Sequence, residues 1–215
     1  MKHVLASQIT AHHTRAMTQD SSHDSDTFRQ FCLSLYAAQG VEAACLDLQD
    51  RFDLDVTLIL MCCWVGQHGV RLSPDALAQA EQSVKPWRET AIDPIRALRR
   101  RLKEAVGPID PERAKSVRDL IKQAELAAEF VQMDHLLLLL EHLPGRDARM
   151  ADRAGIVRGN LLRYTAVKGI ETDRLPRAAL EALVAQTVKP LYQDEEGEDG
   201  LDTETRDARS ETPDP

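Results

Sequence analysis

The feature that most constrains the fold is an apolar run that is too short to cross a membrane. Leu58–Val65 contains eight consecutive apolar residues, within a segment from Val56 to His68 that we predict to be helical. A transmembrane helix needs about 20 such residues, which excludes a bilayer span here. A helix that is apolar on nearly all sides is typical of the centre of a helical bundle. The run therefore indicates an all-α protein built around one buried helix.

The residues on either side of this run define its boundaries. Asp55 stands directly before it and is predicted to be the N-cap, because its carboxylate can accept hydrogen bonds from the first free amides of the helix. Gly69 suits the left-handed backbone that ends a helix. The preceding segment has an apolar face with the 3.6-residue period, and a turn at residues 53–55 joins it to the run. That face consists of Val41, Ala44, Cys45, Leu48 and Phe52.

Helix start and stop signals predict further helices along the chain. Pro86 should end or bend one of them, because proline cannot donate the helical hydrogen bond. Gly155 and Gly159 lie four residues apart in another, which predicts close packing against a neighbouring helix. The predicted helices begin near Asp26, Ser73, Asp93, Asp110, Asp147 and Pro176.

The helix that begins at Asp93 has two contrasting faces. Its apolar stripe, which we expect to be buried, consists of Ile95, Leu98, Leu102 and Val106. The other face is basic, and we expect solvent to cover it. The alternative is that these bases bind an acidic partner, a phosphate or a nucleic acid. They are Arg96, Arg99, Arg100 and Lys103.

The helix that begins at Asp110 is predicted to continue to about Leu143. Its apolar residues step by three and four, a heptad-like rhythm that Asp134 interrupts. A long helix of this kind is typical of a bundle mast or of a coiled-coil arm that pairs with another helix. The apolar residues are Val117, Leu120, Ala124, Ala127, Val131 and Leu138.

The domain organisation follows from these patterns. We predict a single all-α bundle of about seven to eight helices over residues 27–190. Residues 1–26 and 191–215 have no apolar periodicity, and we predict that both tails are disordered.

A resemblance to a known family covers residues 28–140. It rests on the order and spacing of FCLSLYAAQGV, CLDLQDRFDLDVTLIL, WRETAIDPIRALRRRLK and AELAAEF. These pieces resemble the signature of a bacterial family known as domain of unknown function 2390. The chain departs from it at Arg29 and Thr57, where the family tends to have Trp and Asn. The resemblance implies a shared fold region and no particular activity, and it leaves residues 147–190 as a helical extension.

The acidic charge is confined to the C-terminal tail. Of 35 acids and 27 bases in the chain, residues 194–215 contain ten acids and two bases, so this tail alone carries −8. The remaining body has 25 acids and 25 bases and is neutral. A neutral body argues against non-specific nucleic-acid binding, which depends on a basic surface.

The cysteines indicate a reducing compartment. Cys32, Cys45, Cys62 and Cys63 all fall in apolar helical patterns and form no Cys-x-x-Cys pair. We predict that they are buried free thiols. The first residues are too polar for a signal peptide, so we expect a cytoplasmic protein without a membrane anchor.

One polar cluster is a candidate binding site: Gln49, Asp50, Asp53 and Asp55. Acids spaced by three residues share a helix face and could hold a divalent cation. The chain lacks a second acidic motif, so we predict no metal, no cofactor and no catalytic residue. If Asp55 only caps its helix, Asn should replace it at little cost. If Asp55 is a ligand instead, Asn should abolish function.

Two functions from different classes remain open. The first is a non-catalytic interaction or regulatory protein, with a homodimer or a protein partner bound through the Val117–Leu138 stripe. The second is a small helical enzyme or ligand-binding protein that uses the Gln49–Asp55 cluster. A flat apolar patch on the long helix would favour the first, and a buried polar pocket would favour the second.

Overall fold

A computed structural model describes residues 26–140 and 152–189. Within these two ranges the chain forms helices and turns, with a single isolated β-bridge between Val106 and Ile109. The predicted all-α bundle is confirmed. The predicted tails lie outside the described residues apart from Asp26, where the first helix begins. The predicted end of the long helix near Leu143 and the start near Asp147 lie outside them too.

The helices follow the predicted order. The first, α1, covers residues 26–37. A π-helix, Arg88–Ile92, joins α4 to α5, and a short 3₁₀-helix, Thr172–Arg174, precedes α8. The remaining helices are α2 Val41–Phe52, α3 Val56–Gln67, α4 Pro74–Trp87, α5 Asp93–Arg101, α6 Lys115–Leu140, α7 Arg153–Val167 and α8 Arg177–Val188.

The predicted central helix, α3, is the centre of the core. Nine of its 12 residues are buried. It packs most extensively against α7 and also contacts α2, α6 and α8. Asp55 caps it, accepting from the amides of Thr57 at 2.8 Å and Leu58 at 3.3 Å. Local pattern and caps therefore gave the correct position for this helix.

The four cysteines line this core. All are free and buried. Burial raises the pKa of the Cys63 thiol to about 12, partly offset by a hydrogen bond with Thr187. The same desolvation raises the pKa of Cys32, Cys45 and Cys62. The prediction of buried thiols is confirmed.

A close contact between two helices is made by a glycine other than the predicted pair. A Cβ on Gly66 of α3 would lie 2.8 Å from the Cα of Val157 in α7. A Cβ on Gly155 would meet its own N-cap Asp152, and one on Gly159 would meet Arg163 of the same helix. The prediction that Gly155 and Gly159 support close packing was therefore wrong. A methyl group at either position would meet a side chain of α7 or of its N-cap, and not a neighbouring helix.

The helices α4 and α5 are not separated as predicted. Pro86 lies inside α4, which continues into the π-helix instead of ending. Asp93 does not act as an N-cap, because the helical backbone already includes Ile92 before it. Ile92 takes the cap position and makes no side-chain hydrogen bond there. In the π turn the Asp93 amide donates to the Arg88 carbonyl, five residues earlier, and Arg88 at the start of this turn is buried.

The prediction of a buried apolar stripe on α5 was also wrong. No residue of α5 is buried: Ile95 is half-buried and Leu98 is 48% exposed. The helix ends at Arg101, and Val106 beyond it is 50% exposed. Arg96 and Arg99 turn towards α6 instead, where Glu125 is buried and Glu129 is half-buried. A buried carboxylate needs a cationic partner, and this requirement outweighs the burial of Leu98.

The extension after residue 152 completes the core. Val157, Leu161 and Tyr164 of α7 are buried, and Leu183 and Val184 of α8 join the same cluster. Among the described residues, no helix is both long enough and apolar enough to cross a bilayer.

Candidate functional site

The carboxylate of Asp55 lies at the centre of a buried polar cluster. Its Oδ1 accepts from the Thr57 hydroxyl at 2.6 Å in addition to the two capping amides. Its Oδ2 accepts from Arg88 Nη1 at 3.0 Å and from Gln132 Nε2 at 2.8 Å. Five donors therefore occupy both oxygens. A carboxylate in this state has no lone pair left for a metal ion or a substrate proton.

A second carboxylate, Glu81, extends the cluster to α7. It accepts from Arg88 Nη2 at 2.8 Å, from Lys168 Nζ at 3.0 Å and from the Tyr164 hydroxyl at 3.0 Å. The Tyr164 hydroxyl in turn accepts from the main-chain amide of Asp55 at 3.0 Å. We call this network the Asp55 cluster; it comprises Asp55, Thr57, Glu81, Arg88, Gln132, Tyr164 and Lys168.

The charges of the Asp55 cluster cancel, since two carboxylates face Arg88 and Lys168. Burial alone would raise the pKa of Glu81, but its hydrogen bonds from Arg88 and Lys168 lower it below the ordinary value of 4.5. Burial, with Asp55 and Glu81 nearby, raises the pKa of Tyr164 well above its ordinary value. Neither group is poised to exchange a proton near neutral pH, which general acid–base catalysis requires.

A small cleft opens beside the Asp55 cluster. Its volume is about 10 Å³, close to the smallest space that holds one water molecule. Gln132 lines it and is 1% exposed. The Oε1 of Gln132 has no hydrogen-bond partner, because the amide nitrogen is the end that faces Asp55. The other polar lining residues are Gln49, Asp55, Thr57, Arg88, Arg96 and Glu129.

The structure brings together only part of the predicted site. Gln49 and Asp55 both line the cleft. Asp50 is exposed and pairs with Arg100 at 2.8 Å. Asp53 has a left-handed backbone with φ 53°, and its side chain is 94% exposed, 3.6 Å from Lys168. Asp50 and Asp53 therefore lie outside the cleft that Gln49 and Asp55 share.

Sequence patterns missed most of the Asp55 cluster. Arg88, Gln132 and Tyr164 are 33, 77 and 109 residues from Asp55. One available signal was Gln132, a polar residue directly between the apolar Val131 and Met133. Among the described residues, no three His, Cys, Asp or Glu side chains converge as a metal site would require.

The basic face of α5 is largely engaged within the chain. Arg96 contacts Glu125 at 2.9 Å and Glu129 at 2.8 Å. Arg99 donates to both oxygens of Glu125. Burial raises the pKa of Glu129, although the charge of Arg96 opposes this. The prediction that this face is covered by solvent is therefore wrong for Arg96 and Arg99.

The apolar stripe of α6 faces outward. Its residues are exposed, whereas the residues of α6 that face the core include Glu125 and Gln132. Leu120 is 64% exposed, and Trp87 beside the helix is 40% exposed and donates to the Ala128 carbonyl at 2.9 Å. We call this surface the α6 stripe; it comprises Val117, Leu120, Ala124, Ala127, Val131 and Leu138.

Comparison with known proteins places the chain in a family. The model of the family described as "Protein of unknown function (DUF2390)" matches residues 27–136. No curated protein and no solved structure matches the chain. The matched region holds Asp55, Glu81, Arg88 and Gln132, and the residues that resembled this family lie almost entirely within it. The chain belongs to the DUF2390 family.

Proposed function

We propose that this protein is a non-catalytic interaction protein and that the α6 stripe is its binding surface. The observation that carries the proposal is the outward orientation of this stripe. A soluble monomer rarely exposes a long contiguous apolar surface, and one that does so usually binds another macromolecule there. Leu120, Val131 and Leu138 are all at least half exposed, and they follow one side of a single helix.

The position of Trp87 supports the same surface. Its indole lies against α6 and is partly exposed, with its ring nitrogen already bonded to the Ala128 carbonyl. Tryptophan is enriched among residues that dominate binding energy at protein interfaces. A rigid, partly exposed aromatic side chain held against α6 is therefore a suitable anchor for a partner.

The Asp55 cluster favours a structural role over chemistry. Both oxygens of Asp55 are fully occupied by donors, and the charges within the cluster cancel. A nucleophile or general base needs an accessible lone pair within reach of a substrate. The cluster instead ties α3, α4, the π-helix, α6 and α7 together.

We also place the protein in the cytoplasm of a bacterium. The family that the chain resembles is bacterial, and four free thiols are buried in the core. Unpaired cysteines in this number are typical of reducing compartments.

The test compares two variants, one double and one single, in which glutamate replaces apolar residues of α6. The double variant Leu120→Glu, Val131→Glu places acids in the α6 stripe, whereas Leu126→Glu alters an exposed leucine outside it. Chemical crosslinking and sedimentation should show that the protein associates with another macromolecule. Both are carried out on purified protein and on extract of the native cell. The double variant should lose this association, and Leu126→Glu should keep it. Circular dichroism should show that both variants are folded. Association that survives the double substitution, or no association at all, would contradict the proposal.

A second candidate function is the binding of a small hydrogen-bond donor in the cleft beside Asp55. The observation that favours it is the buried Oε1 of Gln132, which has no partner. An unmet buried acceptor costs about 1–3 kcal/mol, which a ligand N–H or O–H group would offset. The cleft takes about one water molecule, so a larger ligand would require Gln49 or Glu129 to move.

Ammonium is a suitable probe for this cleft, because it carries N–H donors and is about the size of a water molecule. Ammonium chloride should raise the melting temperature of the wild type relative to sodium chloride at equal concentration. The rise should disappear in Gln132→Met, which has similar volume and no amide. No rise in the wild type, or an equal rise in the variant, would exclude this candidate.

A further inference from the structure

We propose that the occupant of the α6 stripe is the α6 stripe of a second copy of this chain, packed antiparallel. The inference rests on the proposed function, since it assumes that the stripe is an interaction surface. It goes further by committing to the partner and to the orientation.

The spacing of the α6 stripe fits a coiled-coil seam. Together with Asp134, its residues recur at alternating intervals of three and four from Val117 to Leu138. This is the heptad pattern in which two helices interlock side chains along their whole contact. The seam is about 32 Å long at 1.5 Å per residue, which is three heptads. A second helix with the same period is the shape that complements it.

Asp134 decides against a parallel pair. It occupies the seam position between Val131 and Leu138, and its side chain is 40% exposed although it is bonded to Arg29. A parallel pair in register would place Asp134 against Asp134 of the second copy. Each Asp134–Arg29 ion pair would then lose water against the other at the seam, and removing paired charges from water is costly. An antiparallel pair removes this opposition.

The antiparallel arrangement also matches side-chain sizes. When Ala124 of one helix lies beside Ala127 of the other, Leu120 lies beside Val131 on both sides of the centre. The two alanine layers allow the helices to approach closely, because the distance between helix axes depends on the side chains at the contact. Leu120 and Val131 then pack against each other on both sides of the alanine layers.

Charge supports the same orientation. The first eight residues of α6 contain Lys115, Arg118 and Lys122 against Asp119. Residues 123–140 contain three acids and no lysine or arginine. Glu125 and Glu129 face α5, so Asp134 is the acid that borders the stripe. Antiparallel packing brings Asp134 near the basic end of the second copy, whereas parallel packing would place the two basic ends together.

The experiment uses single cysteines introduced into the full chain. The native thiols are buried with raised pKa, so they should not react with a short bis-maleimide crosslinker. In the proposed pair, a cysteine at Ala124 or Ala127 lies within about 5 Å of its counterpart along the axis, whereas cysteines at Leu120 are about 16 Å apart. Cysteines at Leu138 are about 37 Å apart along the axis.

The expected result is a crosslinked dimer for Ala124→Cys and Ala127→Cys and none for Leu120→Cys or Leu138→Cys. Sedimentation should show that the wild type is a dimer at tens of micromolar and that Leu120→Glu, Val131→Glu is a monomer. Crosslinking at all four positions would indicate a parallel pair and overturn the inference. A dimer without crosslinking at Ala124 or Ala127 would place the interface elsewhere and overturn it as well.

A monomeric wild type would also overturn this inference. It would leave the proposed function intact only if the double variant abolished association with a different protein in cell extract. The two failures are therefore distinguishable, because the first is read in purified protein and the second in extract.

Discussion

Asp55 has a second role that its prediction as an N-cap did not include. Its Oδ1 satisfies the first amides of α3, as a cap should, while its Oδ2 holds Arg88 and Gln132. Asparagine can reproduce the first role but not the second, because one of its two terminal atoms is a donor. The structure therefore changes the expectation that Asn would be nearly silent at this position.

Asp55→Ala should lower the free energy of unfolding by about 3–5 kcal/mol, since it removes one partner of a buried ion pair as well as the cap. Asp55→Asn should lower it by about 1–3 kcal/mol, because the new amide faces the donors of Arg88 and Gln132. Urea unfolding at one pH measures both. Asp50→Asn is the control, with an expected loss of about 0–1 kcal/mol at an exposed pair.

The ranking of these variants distinguishes the two roles. If Asp55→Asn matched the wild type while Asp55→Ala lost about 1 kcal/mol, the cap alone would explain this residue. The bonds from Arg88 and Gln132 would then contribute nothing measurable.

Glu81 makes the free energy of unfolding decrease as the pH falls into the acid range. Its pKa is lower in the folded chain than the ordinary value of 4.5, so the folded state favours the ionised carboxylate. This contribution is present above about pH 4.5 and is lost as the pH falls through the folded pKa. In Glu81→Gln, the free energy of unfolding should therefore fall less steeply between neutral pH and acid pH than in the wild type.

Glu129 is the matched control with the opposite sign. Burial raises its pKa, so its contribution is present below the ordinary value and is lost as the pH rises through the folded pKa. Glu129→Gln should therefore make the acid loss steeper. Urea unfolding over a pH series measures both variants, and identical slopes for the two would contradict the assignment.

At the scale of the elements, the contact between α3 and α7 depends on Gly66. A methyl group there would meet the backbone of Val157 at 2.8 Å, and backbone cannot give way as a flexible side chain can. Gly66→Ala should cost about 1–3 kcal/mol by overpacking, despite the higher helix propensity of alanine. Thermal unfolding monitored by circular dichroism measures the change.

Gly159→Ala is the control for this prediction. Its nearest neighbour would be the end of the Arg163 side chain at 3.0 Å, which can move. Alanine should be neutral there or should stabilise α7 by about 0.5–1 kcal/mol. Equal changes in stability for the two substitutions would mean that the close approach of α3 to α7 does not restrict the size of the residue at position 66.

At the scale of the whole molecule, the region that defines the family is smaller than the folded core. The family model ends at residue 136, whereas α7 and α8 supply buried residues such as Leu161, Tyr164 and Leu183. Each large buried side chain contributes about 1.5–3 kcal/mol, against a total stability of about 5–15 kcal/mol. We therefore expect the helices beyond the family region to be needed for folding.

Two truncated proteins test this dependence. Residues 26–189 should keep a cooperative thermal transition, because the tails contain too few apolar residues to offset the entropy of ordering them. Residues 26–140 should lose it, since the face of α3 that contacts α7 would be exposed. Cooperative melting of the shorter protein, or its loss in the longer one, would contradict the prediction.

Local sequence signals were enough to predict the central helix and the positions of most helices. The apolar run of α3, its cap at Asp55 and its end at Gly69 depend on local hydrogen bonds and on periodicity within one turn or two. The burial of the cysteines followed for the same reason. These features do not depend on which other helix packs alongside.

The faces that turn inward depend on contacts between helices that lie far apart in the chain. Helix α6 carries apolar residues on more than one side, so periodicity alone did not select its buried face. In α5, periodicity selected a stripe that the structure leaves unburied. The choice depends on Arg96 and Arg99 meeting Glu125 across 26–29 residues and on Gln132 reaching Asp55 across 77 residues. Buried polar groups must find partners, and for α6 this requirement leaves an apolar stripe exposed.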